Sequence, residues 1–332
     1  MKLLFRCGGP YFAVLLGLLF SSREAGADTI FVVNELAGTI GEYTTSGLTV
    51  NAALISGLNH PIQIAVSGSN LFVVSAGSGT IGEYTTSGAT VNAALITGLN
   101  NPAGIAVSGS SMFVVSAFPA TLAQEFGSIG EYTTSGATVN ASLIPLVPQN
   151  PYAIAVSGSN MFVTQNCLSV ASCSPTVGGT IGKYTTSGGT VNTALVPSYP
   201  GALANAFGIA VSGTHLFVSF FGGSTISEFT TGGATVNASL IRAGLSAPDG
   251  IAIDGSDLFV ANFGSNTVGE YTTSGATVNA SLITGLNSPE GIAVVAATPE
   301  PSSLTLLGLA IAGLGFRRLR RRVSKTGAEP LL

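Results

Sequence analysis

Six near-copies of one phrase limit what this chain can fold into. The phrase reads Ile-Gly-Glu-Tyr in its commonest form and starts at Ile40, Ile81, Ile129, Ile181, Ile226 and Val268, with successive offsets of 41, 48, 52, 45 and 42 residues. Units of that length cannot bury an apolar face alone, and the spacing predicts four-stranded blades set side by side in a ring. A second phrase, Gly-Ile-Ala-Val in its commonest form, also occurs six times, but its last copy, Gly291 to Val294, follows the last blade. The body therefore starts on the second strand of one blade and takes that blade's first strand from its far end.

Only 8% of the 332 residues are charged, 44 are Gly and none is Trp. This mixture favours short strands and tight turns. In the repeat spanning 104–144, Gly104 to Val107 is an apolar strand, Met112 to Val115 a second and Ser128 to Thr134 a third. Ala137 to Ile144 forms the outer strand, reached through a Ser-Gly turn. The first strand has no polar face and is placed innermost, with its small Ala at the crowded axis. The expected fold is all-β: a six-bladed β-propeller over residues 28–296, closed by a C-terminal innermost strand. An N-terminal signal helix and a C-terminal transmembrane helix flank it.

The signal is expected over residues 1–27. Lys2 and Arg6 precede an apolar run from Tyr11 to Phe20, and small residues Ala25-Gly26-Ala27 stand before Asp28. A membrane anchor would need roughly 20 apolar residues, about twice this run. At the other end Pro299, Glu300 and Pro301 precede an apolar stretch from Leu304 to Phe316 and the cluster Arg317, Arg318, Arg320, Arg321 and Arg322. The arginines are expected to stay cytoplasmic, leaving the propeller on the far side of the membrane.

This order of Pro-Glu-Pro, short helix and Arg cluster over 297–323 resembles the PEP-CTERM sorting signal of Gram-negative bacteria, with residues 324–332 as a cytoplasmic tail. The resemblance implies recognition by an exosortase-type processing enzyme and inner-membrane anchoring through the C-terminal helix before processing. It further implies release to the cell surface or exterior and a link to exopolysaccharide or biofilm matrix. The body's Pro-x-Gly-Ile-Ala-Val, Leu-Phe-Val-Val and Ile-Gly-Glu-Tyr order resembles NHL-type propellers, most closely over Pro248 to Ile253 and Leu258 to Val260. Such rings mostly bind proteins, nucleic acids or small ligands, and some six-bladed relatives are lactonases or lyases.

Between Asp28 and Glu300 the basic residues are Lys183 and Arg242 against thirteen Asp and Glu. A body this acidic repels phosphate backbones, so nucleic acid is not an expected partner, whereas cations and neutral glycans fit. Cys167 and Cys173 either pair as a loop staple in an oxidising compartment or stay as free thiols.

Repeat length varies mainly at 117–127, 165–179 and 196–207, connections that emerge on one face. They are expected to present a binding rim of Phe118, Phe126, Tyr152, Tyr199, Phe207, Phe220 and Phe221, unless the loops vary by drift alone. The residue before each Gly-Ile-Ala-Val is expected at the channel mouth: Ile62, Ala103, Tyr152, Phe207, Asp249 and Glu290. Asp249 and Glu290 fall on adjacent blades as a carboxylate pair suited to Ca²⁺, a shared proton, or simple solvation at turns. The Glu repeated on the third strand reads as copied cross-strand pairing. No Ser-His-Asp set, His cluster or phosphate-cradling loop stands out, and no other cofactor is expected. The leading expectation is an exported, non-enzymatic binding or scaffold propeller whose rim meets an envelope polysaccharide or protein. The alternative is a lactonase-like hydrolase or lyase with a divalent cation at the channel mouth.

Overall fold

Alternation along each strand gives every blade two apolar faces, one for each neighbour. In the second blade Pro61–Ser67, Asn70–Ser75, Thr80–Thr85 and Thr90–Ile96 form a four-stranded antiparallel sheet in chain order. Leu71 and Val73 pack against the preceding blade, while Phe72 and Val74 pack against the following one. The computed structural model describes residues 28–117, 126–166, 179–197 and 205–296. The expected signal helix, sorting tail and transmembrane helix lie outside them, as do Cys167, Cys173, Phe118 and Tyr199.

Within the described residues six such sheets form a ring with the Gly-Ile-Ala-Val strands innermost. Besides strands the described residues hold one single-turn 3-10 helix, Phe263–Ser265. The first blade is assembled from both ends of the body, in the spatial order Pro289–Val295, Thr29–Asn34, Thr39–Thr44 and Thr49–Ile55. Ile292 lies opposite Val32 and Val294 opposite Ile30. The resulting seam buries Phe259, Val268 and Ile283 of the sixth blade against Ile30, Val32 and Tyr43 of the first. The other five seams carry equivalent clusters.

The repeated phrases have local physical causes. The Tyr84 ring folds back over Gly82, where a Cβ would stand 2.7 Å from ring Cε2. The fifth blade has Phe229 and Ser227 at these two places, and Ser227 Oγ donates to the Ala238 carbonyl at 2.7 Å, near where a tyrosine hydroxyl would otherwise sit. In the Thr-Thr-Ser-Gly turn, Thr85 Oγ1 accepts from the Ala89 amide at 3.0 Å. Gly88 takes φ 86° there, against the Leu54 carbonyl of the preceding blade. On the outer strand Asn92 Oδ1 accepts from the Ala94 amide at 3.1 Å, at a bulge that recurs in all six blades. These bulges blunt an otherwise open edge.

One expectation needs correcting. The crowded residue of the inner strand is the Gly, not the Ala. A Cβ on Gly104, Gly208 or Gly250 would strike the backbone oxygen of Tyr152, Asp249 or Glu290 on the neighbouring inner strand. The alanines Ala155 and Ala252 instead fill the seam clusters.

Because each seam is a shared core, a large cavity in one weakens the whole ring. Phe259→Ala, at a side chain 1% exposed in the closing seam, is expected to cost about 3–5 kcal/mol in denaturant unfolding. Phe72→Ala in the second seam should cost a similar amount. A closing-seam variant that unfolds like the unmodified chain would mean that the two end blades are not packed together.

Candidate functional site

Each inner strand pairs with its neighbour through a register shift at its first residues, as between Pro248↔Asn262 and Ile251↔Val260. The shift recurs in the other blades, and a bulge of this kind re-aims the side chains that it carries. Those side chains are the ones expected at the mouth. Around the ring they are Ile62, Ala103, Tyr152, Phe207, Asp249 and Glu290. A second set follows the second strands: the amides of Glu35, Ala76, Ala117, Phe221 and Phe263 each donate to the carbonyl of the residue just before an inner strand. On the second and third blades both sets are small or aliphatic. On the first, fifth and sixth blades both sets are aromatic or acidic, and the fourth blade carries Tyr152, so the mouth has two chemically different sectors.

The acidic sector is buried. Asp249 is 1% exposed and Glu290 8%. Tyr152 donates its hydroxyl to Asp249 Oδ2 at 3.4 Å, reaching past the fifth blade to the sixth. Asp249 Oδ1 and Glu290 Oε2 are buried without a hydrogen-bond partner. Glu35 lies within hydrogen-bond reach of Glu290 and holds His60 Nδ1 at 3.2 Å from its Oε1.

Burial pushes the Asp249 carboxyl well up; the Tyr152 hydrogen bond opposes this and the charge of Glu35 adds to it. Burial raises Glu290 as well, reinforced by the charges of Asp249 and Glu35. Burial and the same carboxylates push the Tyr152 phenol well above its ordinary value. Two ionised carboxylates side by side in so dry a place would repel strongly, which favours the form in which the pair holds a proton.

The aromatic sector continues from Tyr152. Its ring centroid lies 4.5 Å from that of Phe207, which lies 4.8 Å from Phe221, in turn 5.7 Å from Phe263. Two hydroxyls brace this sector. Thr164 Oγ1 donates to the Phe207 carbonyl at 2.9 Å, and Ser219 Oγ donates to the Asp249 carbonyl. Both replace an apolar residue found at that place in the other blades. Next to the mouth the channel encloses about 140 Å³, lined by Ile64, Ile105, Ile154, Ile209, Ile251 and Ile292 among others. That is below the roughly 300–1,000 Å³ of an ordinary ligand pocket.

Of the expected rim, the structure gathers Tyr152, Phe207 and Phe221. Phe220 is corrected: it is 1% exposed and packs in the seam between the fourth and fifth blades. Alternation along its strand turns it into the seam, leaving Phe221 half-buried in the aromatic row. Phe126 is half-buried at the start of a third strand, in register with Pro148. Glu35, Phe263, Thr164 and Ser219 were not anticipated; superimposing the repeats would reveal them as departures from an otherwise copied pattern. The third-strand acids make local pairs, with Glu83 accepting from Asn70 at 2.8 Å and Glu131 from Ser111 at 2.9 Å. Among the described residues no group of three or more His, Cys, Asp or Glu is placed to hold a metal ion. Ca²⁺ at Asp249 and Glu290 would therefore need ligands from elsewhere.

Comparison with known proteins adds two findings. Residues 297–322 match the PEP-CTERM protein-sorting motif, which implies export, passage through the membrane and processing by an exosortase-type enzyme. The ring matches many solved structures. One is a chain of the nidogen–laminin complex, at TM-score 0.60 and 13% identity, covering 82% of this chain and 99% of that one. Another is a streptogramin B lyase, at TM-score 0.52 and 19% identity, covering 84% and 89%. At such identities these likenesses establish the propeller fold alone. No curated protein matches the chain.

The raised carboxyls make stability depend on pH. A group with a raised folded-state pKa holds more protons folded than unfolded, so its contribution is full below the unfolded value of about 4 and is lost as pH rises through the folded value. The melting temperature should therefore fall from weakly acidic pH through neutrality, and Asp249→Asn and Glu290→Gln should flatten that fall. An unchanged slope in both variants would show that the two carboxyls are not buried together.

Proposed function

We propose that this chain is an exported cell-envelope propeller acting as a non-enzymatic binding or scaffold protein, which engages an envelope polysaccharide or protein through its asymmetric mouth. The observation that carries this reading is the sorting motif at 297–322 joined to a ring whose departures from its own repeat collect around one half of the mouth. A pure spacer would have no use for buried acids and a row of aromatics there. The acidic body disfavours nucleic acid. The tail's apolar helix holds the chain in the inner membrane until processing frees the propeller to the surface or the exopolysaccharide matrix.

A second reading keeps the mouth but gives it hydrolase or lyase chemistry with a divalent cation. What favours it is the adjacency of Asp249 and Glu290. Its signature would be a chelator-sensitive activity lost in Asp249→Asn.

Both readings can be separated in a Gram-negative host that carries an exosortase. The chain should reach the surface or medium with its tail removed and should co-fractionate with exopolysaccharide. Replacing Pro299, Glu300 and Pro301 by Ala should leave it in the inner membrane. A chain found at the surface but retained by neither polysaccharide nor envelope protein would overturn the binding role, and chelator-sensitive turnover would replace it with the enzymatic one.

A further inference from the structure

We propose that the propeller mouth binds a primary ammonium group, seated between Asp249 and Glu290 beside the rings of Tyr152 and Phe207. This deepens the binding role by naming a ligand class, and its test reads small-molecule binding, so it succeeds or fails independently of where the protein is sorted.

Two independent features converge on that class. The first is a shortage of donors. Asp249 Oδ1 and Glu290 Oε2 are buried acceptors without partners, on side chains 1% and 8% exposed. An unpartnered buried acceptor is costly, and an ammonium brings three donors and no acceptor. It also brings the one charge that lets both carboxylates ionise side by side. The second is the aromatic row. Tyr152, Phe207, Phe221 and Phe263 stand at successive centroid distances of 4.5, 4.8 and 5.7 Å, and aromatic rings attract cations electrostatically. A divalent metal would use the acids but not the rings, and a quaternary ammonium would use the rings but could not donate to the orphaned oxygens.

Size agrees. The adjoining channel, about 140 Å³, has room for an ammonium head group, and the rest of the ligand is placed on the aromatics. The groups facing the seat are Asp249 from the sixth blade, Glu290 and Glu35 from the first, and Tyr152 from the fourth, with His60 of the second blade held by Glu35. Because burial and mutual repulsion favour the protonated pair, an incoming ammonium displaces that proton. Binding should release about one proton and strengthen as pH rises, until the amine itself deprotonates.

The ammonium could belong to an amino sugar of a polysaccharide or to an alkyl amine such as a lysine side chain. Calorimetry on the full chain with glucosamine and with n-butylamine distinguishes these sources, with N-acetylglucosamine, tetramethylammonium and Ca²⁺ as the other probes. Expected are saturable binding of at least one of the two amines, none of N-acetylglucosamine, and proton release seen as a dependence of heat on buffer ionisation. Asp249→Asn and Glu290→Gln should each weaken binding about tenfold or more, the scale of a lost charge-assisted hydrogen bond. Should either variant misfold, the proton release of the unmodified chain still decides. Failure of both amines to bind, equal affinity for tetramethylammonium, or displacement of the amine by stoichiometric Ca²⁺ would each overturn the proposal.

Discussion

Every blade in this ring has two apolar faces and can hide them only against its two neighbours, so the fold stands or falls on having no first or last blade. A linear stack of the same repeats would leave one face and one sheet edge bare at each end. Pairing Pro289–Val295 with Thr29–Asn34 removes both problems at once. The same requirement explains why the copies are so alike. The Thr-Thr-Ser-Gly turn of one blade rests on the outer strand of the preceding blade, so a change in the turn has to suit a surface encoded about one repeat away. Selection on one seam is thereby selection on all of them.

Against that uniformity the mouth is where the chain is free to differ. Inner-strand bulges hold one side chain at each blade's mouth position, where only Ile62 and Tyr152 also pack against a seam cluster. Four blades use this freedom for Tyr152, Phe207, Asp249 and Glu290, while two carry Ile62 and Ala103. The price of the acids is desolvation: Asp249 and Glu290 are both pushed toward the protonated state. A structural role would be served better by the aliphatic residues that the second and third blades use. The bracing of this sector by Thr164 and Ser219, which tie blades four to five and five to six, is also absent from the repeat's usual pattern. Rigid backbone and strained electrostatics in one place are what a preorganised binding site requires.

Much of the fold could be read directly from the sequence because a repeat states its period and its phase. The offsets gave the blade, and the displaced last Gly-Ile-Ala-Val gave the closing strand. Residues were misjudged where two adjacent positions of the same chemistry face opposite ways. Phe220 and Phe221 are indistinguishable by composition, and only the strand's register sends the first into the seam and the second to the mouth. The inner-strand Gly was likewise undervalued, since its need for space comes from a neighbouring backbone forty or more residues away. At the site, the mouth positions on the inner strands followed from their phase. Glu35 and Phe263 did not, because their role depends on a hydrogen bond to the residue before an inner strand, which carries no side-chain signature.

Cross-linking tests closure most directly. Thr29 and Val295 are register partners at the start and end of the body, and directly opposed antiparallel residues sit about 4.5–5.5 Å apart at Cα, within the range a disulfide spans. In a chain carrying Thr29→Cys and Val295→Cys, mild oxidation should form this bond within the monomer, seen by mass spectrometry of the digested protein, and should raise the melting temperature. Two thiols that stay free, or that link only between molecules, would show that the ends of the body do not meet and that the ring is open.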